Sequence, residues 1–220
     1  MIATAVHSDA MPIPDMRVLL LPGWQNSGPE HWQSRWERLH GYARVEQHDW
    51  MRPLRGDWLA RLEDVLLTAD AHAAPKSVPR PVVLVAHSLG CLASVAWAAH
   101  SRQTARVAAA LLVAPPDLDR EEMRETLPGW SPVALHKLPF PSVLVASRND
   151  PFCRFERAQH FADAWGAQLI DAGPRGHLNA ESSLGDWPDA HQTLETLMRT
   201  AAAIAQPAAS RILRETNESN

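Results

Sequence analysis

Residues 81–100, PVVLVAHSLGCLASVAWAAH, constrain the fold more than any other stretch of the chain. Pro81 to Ala86 is apolar, and Val82, Val83 and Val85 are β-branched. Such a run predicts a strand buried on both faces, as in a parallel sheet. From Leu89 onward the pattern becomes helical, with Leu92, Val95, Ala96 and Ala99 at the apolar positions. Between strand and helix lies Ala86-His87-Ser88-Leu89-Gly90. A serine on so tight a turn requires small residues two positions away on each side, because the backbone folds back on itself there; Ala86 and Gly90 meet that need. The turn holds the Ser88 hydroxyl above the sheet, with the N-terminus of the following helix aimed at it. The usual form of this turn is G-x-S-x-G, and Ala86 stands at its first glycine. The plainer alternative is an ordinary strand-to-helix turn with a capping serine.

A chain of 220 residues predicts one domain with a sizeable core. That domain is expected over residues 16–206, with loose arms at 1–15 and 207–220. The hydrophobic content of 45% and the mixed charge fit a soluble globular protein. A net charge of −4 offers no basic surface for nucleic acid or anionic lipid. No apolar stretch reaches membrane-spanning length, and the start lacks the basic-then-apolar order of a signal peptide. Cys91 and Cys153 form neither a secreted-type disulfide framework nor a metal pair. A reduced, cytoplasmic setting is the expectation.

Along the chain, strands and helices alternate. Strands are predicted at 17–21, 43–47, 82–86, 107–114, 142–146 and 168–171. A helix opened by Pro29 carries Trp32, Trp36 and Leu39 on one face and ends at Gly41. A second, capped by Asp57, carries Trp58, Leu59, Leu62, Val65, Leu66 and Ala69, and a Pro-rich link follows at 75–81. Further helices are predicted from Leu89, from Phe155 to Trp165, and from Pro188 to Ala205. Residues 118–140 are less regular and can form a short helix plus a loop over the site; whether they cover it stays open. The alternation predicts a mostly parallel sheet with helices on both faces. In such a sheet functional groups gather at the carboxyl ends of strands, and Trp24, Ser88, Asp117, Asp150 and His177 all follow predicted strands.

A serine hydroxyl becomes a nucleophile when an imidazole takes its proton and a carboxylate orients the imidazole. It also needs N–H donors where the oxyanion forms. His177 is the candidate base, in a glycine-bracketed loop between the last strand and the last helix. His31, His72, His100, His160 and His191 fall in or at the ends of helices, and His87 should point away from Ser88. Asp150 is the candidate acid, in a turn held by Pro151 and braced by Asn149; Asp117 is the main rival and Asp171 a third. The backbone N–H groups of Leu89 and Trp24 are the candidate oxyanion donors, with Gly23 giving room or merely making a turn. Trp24 and Trp130 are the candidates for lining a substrate pocket. Trp32, Trp36, Trp58, Trp97 and Trp165 are expected in the core, and Trp187 beside the His177 loop.

Four segments then carry a resemblance: VLLLPGWQNSGPEHWQSRWE, VAHSLGC, VLVASRNDPFC and GPRGHLNAESSLGDWP. Together they resemble the YdeN-type serine hydrolases, a group also named for a retinoblastoma-binding member. The likeness runs from about Arg17 to the last helix. It implies a three-layer α/β-hydrolase fold with a six-stranded sheet and no large cap, no cofactor and no metal. It also implies Ser88 as nucleophile, Asp150 as acid and His177 as base. The expected activity is carboxylesterase-like hydrolysis of a small ester, thioester or amide. A protein-binding module with vestigial catalysis is the second reading, and acyl transfer to another acceptor a third. The acyl group and the oligomeric state stay open.

Overall fold

A computed structural model of the chain describes residues 14–68 and 80–205. Most of both expected arms, His72, Ala69 and most of the Pro-rich link lie outside the described residues.

The elements follow in the order β1 (Arg17–Leu21), α1 (Trp32–His40), β2 (Ala43–Arg44), α2 (Arg55–Thr68), β3 (Val82–His87), α3 (Leu89–His100), β4 (Val107–Val113), α4 (Glu121–Thr126), β5 (Ser142–Ala146), α5 (Phe155–Trp165), β6 (Gln168–Asp171) and α6 (Pro188–Ala205). The strands form one sheet in the order β2-β1-β3-β4-β5-β6. Every neighbouring pair is parallel.

All six residues of β3 are buried, as a central parallel strand requires. The side-chain period of two then divides the core. Leu19, Leu21, Leu84 and Ala86 face a layer with Trp58, Leu62, Leu92, Phe161 and Trp165, from α2, α3 and α5. Leu20, Val83 and Val85 face the other layer, with Trp32, Trp36, Leu194 and Met198 from α1 and α6. This is the expected three-layer architecture. Among the described residues, no helix is long and apolar enough to cross a membrane.

Several local expectations are corrected. Helix α1 begins at Trp32 rather than at Pro29, with the His31 ring accepting from the N–H of Gln33 as its N-cap. Leu39 is 57% exposed and belongs to the outer face. Strand β2 is two residues long, because only Ala43 and Arg44 find ladder partners on β1. Asp57 lies inside the first turn of α2 rather than capping it.

The chain leaves β1 toward β2 on one side and returns to β3 on the other. A crevice therefore opens between the loops that follow β1 and β3, the position where ligands bind in open parallel sheets.

Candidate active site

Ser88 joins β3 to α3 with φ 53° and ψ −122°. A non-glycine residue keeps such a conformation only where its surroundings over-determine it. Here the Ser88 N–H donates to Val113 O at 2.9 Å, and its carbonyl accepts from Cys91 N at 2.9 Å. The small-residue requirement at position 90 has a different origin from the one expected. A Cβ on Gly90 would stand 2.1 Å from the carbonyl oxygen of Leu21, so the first turn of α3 grazes the end of β1. Gly23 is the next tightest, its absent Cβ 2.7 Å from that of Ser88.

The structure brings His177 and Asp150 to Ser88. Nε2 of His177 is 2.8 Å from Ser88 Oγ. Nδ1 lies 2.9 and 3.0 Å from the two carboxylate oxygens of Asp150. The two side chains are 10% and 3% exposed. With the carboxylate taking the Nδ1–H, Nε2 is left to accept the serine proton. Asp150 also accepts the N–H of Phe152 at 2.9 Å, which fixes its turn. The rival carboxylates are engaged elsewhere. Asp117 pairs with Arg157 at 3.2 Å. Arg148 hydrogen-bonds Asp171 and holds its carboxyl below the usual range.

Asn149 does more than brace its own turn. Its Oδ1 accepts from Ser147 Oγ at 2.9 Å and from Gly176 N at 2.7 Å, tying the Asp150 loop to the His177 loop. A second set of contacts went unread in the sequence. His87 does not simply turn away: its Nε2–H donates to the carbonyl of His177 at 2.9 Å. Trp32 Nε1 donates to the next carbonyl, that of Leu178, at 2.8 Å. Trp187 packs edge-on against Trp32, with ring centroids 5.4 Å apart, and so supports this loop from behind. Partners 90 and 146 residues apart in sequence leave no local signal.

Burial keeps the imidazole of His87 well below its ordinary range. Burial, helped by the Arg44 charge, lowers His31 to about 3. Both rings are therefore neutral under His177 at ordinary pH.

The N–H groups of Trp24 and Leu89 have no acceptor among the described residues. Both residues border a cavity of about 450 Å³ that contains Ser88 and His177. Pro116, Met123, Leu127 and Phe152 form its apolar side. Met123 of α4 and Leu127 after it thus border the site, a point the sequence left open for the 118–140 segment. Trp130 does not. It is 2% exposed, donates from Nε1 to Pro53 O at 2.7 Å and packs edge-on against Trp58. A larger groove, about 700 Å³, lies between α6 and the β5–β6 edge and holds none of these groups. Among the described residues, no cluster of three or more His, Cys, Asp and Glu is arranged to hold a metal ion.

The serine hydrolase family model matches residues 18–196. The chain belongs to the serine hydrolase family. Among solved structures, this serine hydrolase is similar to a protein from Pectobacterium atrosepticum described as a YdeN-like hydrolase. The two are 30% identical over 84% of this chain and 92% of the other, with a TM-score of 0.69. It is also similar to the ydeN gene product of B. subtilis, at 18% identity over 84% and 99%, TM-score 0.62. A thermophilic esterase from Thermogutta terrifontis matches at 15% identity over 84% and 90%, TM-score 0.58. These last two likenesses speak for the α/β-hydrolase fold alone. Among curated proteins none matches the chain.

Proposed function

We propose that this serine hydrolase cleaves a small carboxylic ester, thioester or amide through an acyl-enzyme on Ser88. The observation that carries the reading is the unbroken relay of Ser88 Oγ, His177 and Asp150, with links of 2.8 and 2.9 Å. Ser88 Oγ attacks the carbonyl carbon while Nε2 of His177 takes its proton. The N–H groups of Trp24 and Leu89 hold the oxyanion that develops. Collapse of the tetrahedral intermediate expels the alcohol, thiol or amine, which leaves with the proton from His177. Water, deprotonated by the same imidazole, then releases the acid. Asp150 keeps the imidazole in the productive tautomer and stabilises its charged form.

The cavity favours a substrate with a compact apolar acyl or leaving group, since Met123, Leu127, Phe152 and Pro116 wall one side of about 450 Å³. The test is labelling with a fluorophosphonate probe, followed by turnover of p-nitrophenyl esters of increasing acyl length. Labelling of the wild type and none of Ser88→Ala is expected. A folded wild type that stays unlabelled, or a Ser88→Ala variant that labels equally, overturns the reading.

A further inference from the structure

We infer that Arg44, on the edge strand β2, is a positioning residue for the loop that carries the Trp24 oxyanion donor. This rests on the reading of the Trp24 N–H given above.

The loop after β1 is built against its own preferences. Gln25 and Asn26 have φ of 67° and 66°, two consecutive non-glycine residues in the left-handed region. Asparagine tolerates that region better than most side chains, and glutamine does not share its advantage. Something outside the loop must hold the pair in place.

The guanidinium of Arg44 does so. Its side chain is 8% exposed, and every one of its five N–H donors has an acceptor to serve. Nη1 donates to Asn26 Oδ1 at 2.5 Å and to Ser27 O at 3.0 Å. Nη2 donates to Ser34 Oγ at 2.7 Å and to Glu37 Oε2 at 2.7 Å. Nε donates to Glu37 Oε2 at 3.2 Å. Glu37 thus supplies the counter-charge a buried cation needs. Asn26 Oδ1 accepts from Ser27 N at 2.7 Å as well, so one oxygen joins the left-handed turn to the cation.

The opposite flank of the loop is held separately. Gln25 N donates to Trp50 O at 3.0 Å, and Trp24 Nε1 to Met51 O at 3.1 Å. Trp24 belongs to this second anchorage and stands two residues from Asn26, which Arg44 holds. Arg44 does not border the cavity and touches no reacting atom. Its contribution is preorganisation: an oxyanion donor is effective because it need not reorient as charge develops. A lysine offers a point charge in place of the planar fork and reaches at most part of this acceptor set.

The experiment uses the full chain with Arg44→Lys, Arg44→Met and Asn26→Gly. The glycine relieves the left-handed φ while removing Arg44's acceptor, and so separates positioning from folding. Five quantities are measured: kcat per phosphonate-titrated site, KM, the Ki of a trifluoromethyl ketone that forms an oxyanion on Ser88, hydrogen exchange of the amides of residues 23–28, and thermal unfolding. In Arg44→Lys and Asn26→Gly, kcat falls roughly 10- to 100-fold, less than or comparable to outright loss of one donor. KM stays within about twofold, because the interaction strengthens only in the transition state. The ketone Ki rises in proportion to the loss of kcat/KM, and exchange at 23–28 accelerates while that of α3 does not. Folded variants with wild-type kcat per titrated site, or with unchanged exchange at 23–28, overturn the inference. A wild type that neither labels nor turns over sinks the hydrolase reading instead, and the exchange measurement still decides whether Arg44 orders the loop.

Discussion

Nε2 of His177 stands 2.8 Å from Oγ of Ser88, although 89 residues of chain separate the two. His177 is held at the ring by Asp150 and at its own carbonyl by His87. The serine is held through its backbone by β4 and by the first turn of α3. Neither residue relies on its own loop for its position.

Asp150→Asn keeps the shape of this arrangement but presents the imidazole with an amide, which favours the wrong tautomer. We expect kcat to fall by about 10³–10⁴ with KM little changed. Steady-state kinetics on a p-nitrophenyl ester, with circular dichroism to establish the fold, provides the check. A loss under tenfold would hand the acid's role to another carboxylate.

Two glycines separate folding from catalysis. Gly90→Ala places a Cβ 2.1 Å from a backbone oxygen of β1, which cannot move without disturbing the sheet. That variant is expected to be insoluble, or destabilised by about 3 kcal/mol or more. Gly23→Ala collides chiefly with the Ser88 side chain, 2.7 Å away. It is expected to fold and to lose about 10²-fold or more in kcat/KM, since an ångström of misplacement suffices for that. Denaturant unfolding and ester turnover of the two variants are the measurements.

Stability should fall in mild acid. His31 is held to about 3 by burial, and His87 well below its ordinary range for the same reason. In the unfolded chain each imidazole takes up a proton near pH 6.5. Below that pH the unfolded state binds the extra protons, so stability is fully present above about 6.5, and the His31 contribution is lost as pH falls toward 3. The His31 ring contributes a slope of up to about 1.4 kcal/mol per pH unit in that window, and His87 acts in the same direction. His31→Asn retains a capping acceptor for α1 and removes one titrating group. Urea unfolding between pH 7 and pH 5 should show the pH slope of stability reduced, by an amount that approaches one proton near pH 5.

Trp130 and Met123 distinguish scaffold from pocket. Trp130→Phe leaves the buried carbonyl of Pro53 without its donor, at a cost of about 1–3 kcal/mol, and leaves KM unaltered. Met123→Ala enlarges the cavity wall with little effect on stability. It shifts the preference between acetyl and butyryl esters several-fold, about 0.8 kcal/mol for each methylene that changes its burial. KM across an acyl series and thermal unfolding separate the two outcomes.

Much of this protein was legible in one dimension. The apolar run before Ser88 and the helical spacing after it lie within about a turn of the residues they describe, so strand, elbow and helix follow from local pattern. The ends of β1, β5, α5 and α6 are equally local, marked by Pro22, Ser147, Gly166 and the loss of apolar spacing. That His177 and Asp150 come close to Ser88 was readable because each sits in a loop a few residues after a strand, and such loops announce themselves through glycine, proline and asparagine. The misreadings occur where a residue's surroundings come from distant chain. Leu39 satisfies the helical period of α1 but faces outward, because the neighbouring elements cover Trp32 and Trp36 instead. Trp130 follows the same logic in reverse: the loop carrying it folds inward onto Trp58 and Pro53.

The sequence by itself determined the alternation of strands and helices, the elbow, and the residue types needed for acyl chemistry, because each depends on neighbours a few positions away. Only the tertiary structure decided that Gly90 answers to β1, that His87 and Trp32 hold the loop of His177, and that Arg44 braces Asn26. Those contacts join segments whose proximity is created by the order of strands in the sheet, and strand order is a property of the whole chain's packing, which no local pattern encodes.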